Sequence, residues 1–103
     1  MNSKRKGSQG ERELAALLQA RGLDVRRNDQ RYVGGLRNPD IALVLGGMPI
    51  HVEVKRVERL NIHEAMAQAI RDADGQALPA VAHRRNRGPW LVTMRLEDVL
   101  HGH

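Results

Sequence analysis

Two acidic residues and a lysine stand at the ends of neighbouring apolar segments, and their types and spacing suit metal-dependent chemistry. Asp40 precedes the apolar run Ile41–Leu45, and Glu53 and Lys55 lie two residues apart in the alternating segment 50–55. If the two segments pair as an antiparallel hairpin, Asp40 and Glu53 come together. Carboxylates held close in a half-buried place are costly unless a cation compensates them. The pattern therefore predicts a divalent metal ion bound by Asp40 and Glu53, with Lys55 free to orient a water molecule or stabilise negative charge on a phosphate.

An ordinary hairpin is the alternative interpretation of this stretch. The sequence Glu-x-Lys is common on strands, and a Glu53–Lys55 pair on a solvated face would be a surface ion pair. The longer pattern is Pro39-Asp40, twelve further residues and then Glu53-Val54-Lys55, with apolar segments on both sides. This longer pattern favours the metal site.

The hairpin itself is indicated by a Gly-Gly pair at 46–47, which is a strong short-turn signal. We expect Pro49 to lie just outside the second strand, because proline cannot donate a ladder hydrogen bond. From residue 50 the side chains alternate between two faces. Ile50, Val52 and Val54 take one face, and His51, Glu53 and Lys55 take the other. His51 is expected to lie beside the metal site without ligating the ion.

A first helix is predicted over residues 8–21, with Ser8 as its cap, Glu11 as capping-box partner and Gly22 as its end. Its apolar stripe consists of Leu14, Ala15, Leu17 and Leu18. The helical spacing puts Glu11 on the core side and Arg12 on the outer side. Glu11 either completes the cap alone or reaches the site formed by Asp40 and Glu53.

The remaining segments predict further strands at 23–27, 80–83 and 90–94, a second helix from Asn61 to Gly75, and a closing helical turn at 96–100. The second helix has apolar residues at helical spacing, and Gln68 falls on its polar face. This apolar stripe contains Ile62, Ala65, Met66, Ala69, Ile70 and Ala73. The predicted order is α-β-β-β-α-β-β, an α/β fold with a central mixed sheet flanked by helices, in a single domain spanning residues 1–103.

Composition narrows the classes of function. The chain has 103 residues, a net charge of +5 and no cysteine, which excludes disulfides and thiol chemistry and favours a polyanionic partner, nucleic acid first. No apolar run is long enough to span a membrane, and the charged first residues do not resemble a signal peptide, so a cytoplasmic location is expected. With no Phe and one Trp, the core is thin, which makes burial in a homodimer plausible.

Two basic segments are predicted to meet DNA. Residues 1–8 carry Lys4, Arg5 and Lys6 and are interpreted as a basic arm, and the polar loop 28–38 carries Arg31, Tyr32 and Arg37. Arginines can contact phosphates and an aromatic ring can stack on a base. A solvated tail and an ordinary surface loop are the alternatives. The full set of predicted DNA contacts is Lys4, Arg5, Lys6, Arg12, Arg31, Tyr32, Arg37, Arg56 and Gln68.

The motifs resemble those of the PD-(D/E)XK nuclease superfamily, with its restriction-endonuclease-like core. The matching residues are Lys6-Gly7-Ser8 followed by Glu11-Arg12, then Pro39-Asp40 and Glu53-Val54-Lys55. Within the superfamily the chain is most similar to archaeal-type Holliday junction resolvases and their small phage relatives. The resemblance implies that Glu11, Asp40 and Glu53 bind Mg²⁺, with Mn²⁺ as a substitute, and that Lys55 assists catalysis. It also implies homodimers that bind one four-way junction, with a mobile loop corresponding to 28–38. That loop lacks the serine that several relatives use.

The sequence therefore predicts a Mg²⁺-dependent endonuclease that resolves four-way DNA junctions by paired phosphodiester hydrolysis, without a membrane or a small-molecule cofactor. Another DNA nuclease of the same superfamily, of repair, flap or restriction type, is the first alternative. A non-catalytic DNA-binding module is the second, and it rests on the basic charge alone.

Overall fold

In the part of the chain that the structure describes, five strands form one mixed sheet, with a long helix on each face. The computed structural model describes the backbone of residues 3–27 and 39–100 and the side chains of residues 8–27 and 39–100. The element order is α1 (Ser3–Ala20), β1 (Asp24–Arg27), β2 (Ile41–Leu45), β3 (Met48–Arg56), α2 (Ile62–Ala73), β4 (Leu78–Arg84), β5 (Leu91–Met94) and α3 (Leu96–Val99). The predicted α/β class and the order of the main elements are confirmed. The short α3 adds a closing turn, as predicted.

The strands are ordered β1-β2-β3-β4-β5 across the sheet. Among these five described strands, β3 and β4 pair in parallel, and the other neighbouring pairs are antiparallel. A parallel connection needs a crossover segment, and α2 supplies it between β3 and β4. The central strand β3 thus has a partner on each side and a helix over each face, which explains why Ile50, Val52 and Val54 and the polar residues between them are all buried.

The β2–β3 hairpin turns at Gly46 and Gly47, which have φ angles of 59° and 80°. Positive φ at both turn positions suits a two-residue connection between twisted strands and explains the glycine pair. The turn sets the register, which runs from Leu45 opposite Met48 to Ile41 opposite Val52. Pro49 lies inside β3 rather than outside it as predicted. It precedes the first pair with β4, Ile50–Leu78, so its missing N–H costs no bond to that strand.

Helix α1 begins at Ser3, five residues earlier than predicted. Ser8 is therefore inside the helix and is not its cap, and residues 3–8 of the predicted basic arm are helical. Lysine and arginine are good helix formers, so the basic segment can continue the helix. The predicted end is confirmed, because Gly22 has φ 78° and the amides of Gly22 and Leu23 bond back to the carbonyls of Gln19 and Leu18, which is a Schellman cap.

The core has two parts, one under each helix. Leu14 and Ala15 of α1 pack with Val52 and other residues on one face of the sheet, while α2 packs on Val81 of β4 on the other face. Two residues of the predicted apolar stripes are not in the core. Leu17 of α1 and Ile70 of α2 are 45% and 37% exposed, because each lies at the edge of its helical stripe.

The remaining boundaries are close to the predicted ones. Asn61 caps α2 as expected, since its side chain accepts a hydrogen bond from the Glu64 amide at 3.1 Å. The helix ends at Ala73, and the left-handed backbone begins at Asp74, one residue before the predicted stop at Gly75. Strand β4 extends beyond the predicted 80–83 at both ends, and β5 begins one residue later than predicted. Over residues 3–27 and 39–100, no helix combines the length and apolar character that crossing a membrane requires.

Candidate metal-dependent nuclease site

Asp40 and Glu53 occupy the next paired positions beyond the end of the hairpin ladder. The last pair is Ile41 with Val52, so extending the antiparallel register by one residue sets Asp40 opposite Glu53. Asp40 Oδ2 accepts a hydrogen bond from the Val54 amide at 2.8 Å. The structure thus brings these two carboxylates together, through the register that the sequence pattern predicts.

Negative charge is crowded around Asp40. Burial is the largest cause of a rise in the pKa of Asp40 from 3.8 to about 7, to which the nearby Glu53 and Glu11 carboxylates also contribute, against the opposing hydrogen bond from Val54. Burial and like charge both disfavour the ionised form of a carboxyl group. A divalent cation would relieve that repulsion, and carboxylate oxygens are the donors that Mg²⁺ prefers.

Glu53 is buried and also contacts a histidine. Glu53 and His51 are each 4% exposed, and His51 Nε2 lies 2.7 Å from Glu53 Oε1. One ligand atom from each of His51, Glu53 and Asp72 of α2 lies within 4.8 Å of the other two. This cluster includes neither Asp40 nor Glu11. Asp72 was not singled out by the sequence, because only the packing of α2 on β3 brings it near His51.

Glu11 approaches the site from α1. Its side chain is 20% exposed, and its Oε2 lies 3.7 Å from Arg27 Nη2 on β1. The helix lies close to β3 at Gly10, where an added Cβ would meet Arg56 Cβ at 3.1 Å and Val54 Cγ1 at 3.6 Å. Glu11 thus influences Asp40 through its charge and has an arginine partner of its own.

Lys55 lies two residues beyond Glu53 on β3 and is half-buried. Strand alternation puts it on the same face as Glu53, and in the parallel register it is opposite His83 of β4. The sheet therefore presents a carboxylate and an ammonium group on one face, as the sequence predicted.

A second acidic residue of α1, Glu13, has a different environment. Glu13 Oε1 accepts hydrogen bonds from Arg84 Nη1 and from Trp90 Nε1, the latter at 3.0 Å, and Glu13 Oε2 lies 3.9 Å from Arg56 Nε. This Glu13 network joins α1 to β3, β4 and the segment before β5. No sequence signal indicated it, because Glu13 is more than 40 residues away from each of its partners along the chain.

The predicted DNA contacts are only partly within the described residues. Arg12 is exposed and Gln68 is half-buried. Arg56 points to the α1 side of the sheet, where its guanidinium is 3.9 Å from Glu13. The side chains of Lys4, Arg5 and Lys6 and the loop with Arg31, Tyr32 and Arg37 lie outside the described part of the chain.

A family model described as "Phage putative PDDEXK endonuclease" matches residues 2–102 of this chain. The chain belongs to this family. The name PDDEXK denotes the acidic and lysine pattern that Asp40, Glu53 and Lys55 display here. The family assignment makes the chain a nuclease domain and confirms the resemblance drawn from the motifs.

Among solved structures, this PDDEXK chain is similar to Hjc, a Holliday junction resolvase from the archaeal hyperthermophile Archaeoglobus fulgidus. The similarity has a TM-score of 0.65 at 27% sequence identity, and it covers 85% of this chain and 76% of Hjc. The restriction-endonuclease-like fold is therefore confirmed. No curated protein matches the sequence.

Proposed function

We propose that this PDDEXK endonuclease is a Mg²⁺-dependent enzyme that cuts branched DNA, with the four-way junction as its substrate. The main observation behind this proposal is the pair of Asp40 and Glu53, which the hairpin register sets opposite each other. Their surroundings disfavour ionisation of the Asp40 carboxyl group and raise its pKa. The structural similarity to an archaeal Holliday junction resolvase supports the junction as substrate.

The donor atoms suit a hard divalent ion. Asp40 and Glu53 are the proposed ligands, and Glu11 contributes negative charge from α1. When bound, Mg²⁺ supplies a more acidic water and stabilises charge on the phosphate oxygens. Mn²⁺, which accepts the same oxygen donors, is expected to substitute.

The protein side chains have separate roles in this proposal. The Val54 amide holds one oxygen of Asp40 in place at 2.8 Å, which leaves the other oxygen for a ligand. Lys55 orients the attacking water or stabilises the negative charge that develops on the phosphate. The basic residues predicted above contact the phosphate backbone and carry no sequence information themselves.

A homodimer fits the symmetry of the substrate. A four-way junction has two equivalent strands to cut, and a twofold dimer presents two equivalent sites.

Strand β5 is at the edge of the sheet. This strand and the adjoining helical turn expose large apolar side chains, each by more than half: Leu91, Val92, Leu96, Val99 and Leu100. We propose that a second copy of the chain covers this apolar surface. Analytical ultracentrifugation of the wild-type protein and of Val92→Glu tests this proposal. The wild type should sediment as a dimer, and the variant should be monomeric because it introduces a charge into the apolar surface.

The deciding experiment compares three labelled DNA substrates: a four-way junction, a flap and a linear duplex. Purified protein should make symmetric paired cuts in the junction when Mg²⁺ is present and none when it is absent. If the flap or the duplex were cut as well as the junction, the protein would be a nuclease of the repair, flap or restriction type instead. Binding of the junction without any cutting in Mg²⁺ or Mn²⁺ would indicate a non-catalytic DNA-binding module.

A further inference from the structure

The cluster of His51, Glu53 and Asp72 has the composition of a transition-metal site. His51 and Glu53 are both buried, and Asp72 is half-buried on α2. One nitrogen and two carboxylate oxygens, all within 4.8 Å of one another, converge at this point. Imidazole nitrogen favours zinc, cobalt and similar ions over Mg²⁺, which prefers oxygen donors. The donor set therefore differs in kind from the oxygen-only pair of Asp40 and Glu53.

The separations are compatible with a bound ion. Zinc bonds to histidine nitrogen and carboxylate oxygen are about 2.1 Å long, so tetrahedral ligands lie roughly 3.4 Å apart. The distance of 2.7 Å between His51 Nε2 and Glu53 Oε1 is shorter than this ligand separation. The largest distance allowed between any two ligand atoms of the cluster, 4.8 Å, is longer than it. Small side-chain rotations would bring all three atoms to ligand distance, because the backbone of β3 and α2 already holds them on facing surfaces.

Asp72 is in an unfavourable position in the absence of a cation. It lies in the last turn of α2, which ends at Ala73, where the helix dipole disfavours negative charge. It also lies near Glu53, which has the like-charged Asp40 on its other side. A cation between His51, Glu53 and Asp72 would offset both effects.

We propose that His51, Glu53 and Asp72 form a binding site for a divalent transition-metal ion, such as Zn²⁺ or Co²⁺, adjacent to the oxygen-only site of Asp40 and Glu53. Glu53 is shared by the two sites, with one oxygen toward His51 and the other available on the Asp40 side. Asp72, the least buried of the three, provides the route by which the ion enters. This site is a property of the free protein and does not depend on what DNA the enzyme cuts.

Metal titration without DNA tests the site. Isothermal titration calorimetry with Zn²⁺ and visible absorption with Co²⁺ are measured on wild type, His51→Gln and Asp72→Asn. Loss of a ligand should weaken Zn²⁺ binding by at least about tenfold in each variant, and the Co²⁺ absorption band should weaken with it. His51 is buried, so His51→Gln could disturb the fold, which circular dichroism would show. Asp72 is half-buried and asparagine has nearly the same size, so Asp72→Asn should keep the fold and still test the site.

A further variant acts as a control. His83→Gln removes a histidine that lies on the neighbouring strand and bonds to Thr93 at 2.9 Å, so its Zn²⁺ affinity should match wild type. Unchanged Zn²⁺ affinity in both His51→Gln and Asp72→Asn would overturn the site, and would make the cluster an internal hydrogen-bonded group. Equal loss in His83→Gln would assign the binding to scattered surface histidines and would equally overturn it.

Discussion

Glu13 and Asp40 are acidic residues of one small domain, yet their surroundings are opposite. Glu13 accepts bonds from Arg84 and Trp90 and has Arg56 nearby, so its charge is compensated within the protein. Asp40 accepts a hydrogen bond from the Val54 amide, and it has the carboxylate of Glu11 nearby and that of Glu53 within hydrogen-bonding reach. The first arrangement stabilises the fold without any ligand. The second is stable only with a proton or a cation, and that difference distinguishes a structural carboxylate from one suited to chemistry.

The largest expected effect is on cleavage. Asp40→Asn keeps the size of the side chain but removes the charge, so metal-dependent cutting of a four-way junction should fall by more than about 100-fold. Initial rates over a Mg²⁺ series would measure it. Cleavage at the wild-type rate in Asp40→Asn would show that this carboxyl has no part in the reaction.

Metal binding should also stabilise the folded protein. A saturating divalent ion at 100 times its dissociation constant adds about 2.7 kcal/mol to the free energy of unfolding. Urea unfolding with and without Mg²⁺ would detect this gain in wild type. The gain should be lost in Asp40→Asn and kept in Glu13→Gln. A gain of equal size in Asp40→Asn would place the ion elsewhere.

A matched pair of variants on α1 separates the two kinds of carboxylate. Glu13→Ala leaves Arg84 and Trp90 without their acceptor and should lower the free energy of unfolding by about 1–2 kcal/mol. Glu11→Ala, two residues earlier, removes a 3.7 Å ion pair with Arg27 and should cost less stability, because that distance is too long for a hydrogen bond. The order should reverse for cleavage at saturating Mg²⁺, where Glu11→Ala is the more impaired. The same loss of stability in both variants would contradict the comparison.

A further effect is the dependence of stability on pH. Because the pKa of Asp40 is about 7 in the folded protein against 3.8 ordinarily, the folded state holds this proton more tightly. The associated stability is fully present below pH 3.8 and is lost as pH rises through 7, with a slope of at most about 1.4 kcal/mol per pH unit. Thermal unfolding of metal-free protein between pH 5 and 8 would show it as a difference between wild type and Asp40→Asn. Parallel curves for the two proteins would contradict the raised pKa.

Local sequence patterns predicted the parts of this fold that depend on short-range rules. The glycine pair at 46–47 and the alternation after it determined the hairpin and its register, and hence the approach of Asp40 to Glu53. Gly22 and Asn61 marked helix ends correctly, because both act on adjacent backbone groups. The start of α1 was misplaced, since Ser8 has the type of a capping residue but basic helix formers precede it.

The contacts that the sequence did not predict all join distant elements. Asp72 meets His51 because α2 packs antiparallel to β3, and Glu13 meets Trp90 because the β4–β5 connection returns to α1. Helical spacing indicated which side of α1 is buried, but it did not show which of two acidic residues has cationic partners. That choice depends on arginines supplied by other strands.

Gly10 determines how near α1 lies to the central strand. It has no side chain, and the space that a methyl group would occupy is already limited by Arg56 Cβ at 3.1 Å. An alanine there would require Arg56 or the helix to shift by a few tenths of an ångström. Glu11 is the next residue, so the distance from its carboxylate to the hairpin would change with the helix. Glu13 would keep its ion pairs, because the long side chains of its arginine partners can move with it. A substitution that adds one carbon and no charge would therefore alter the nuclease site without touching any residue that is proposed to bind metal or DNA.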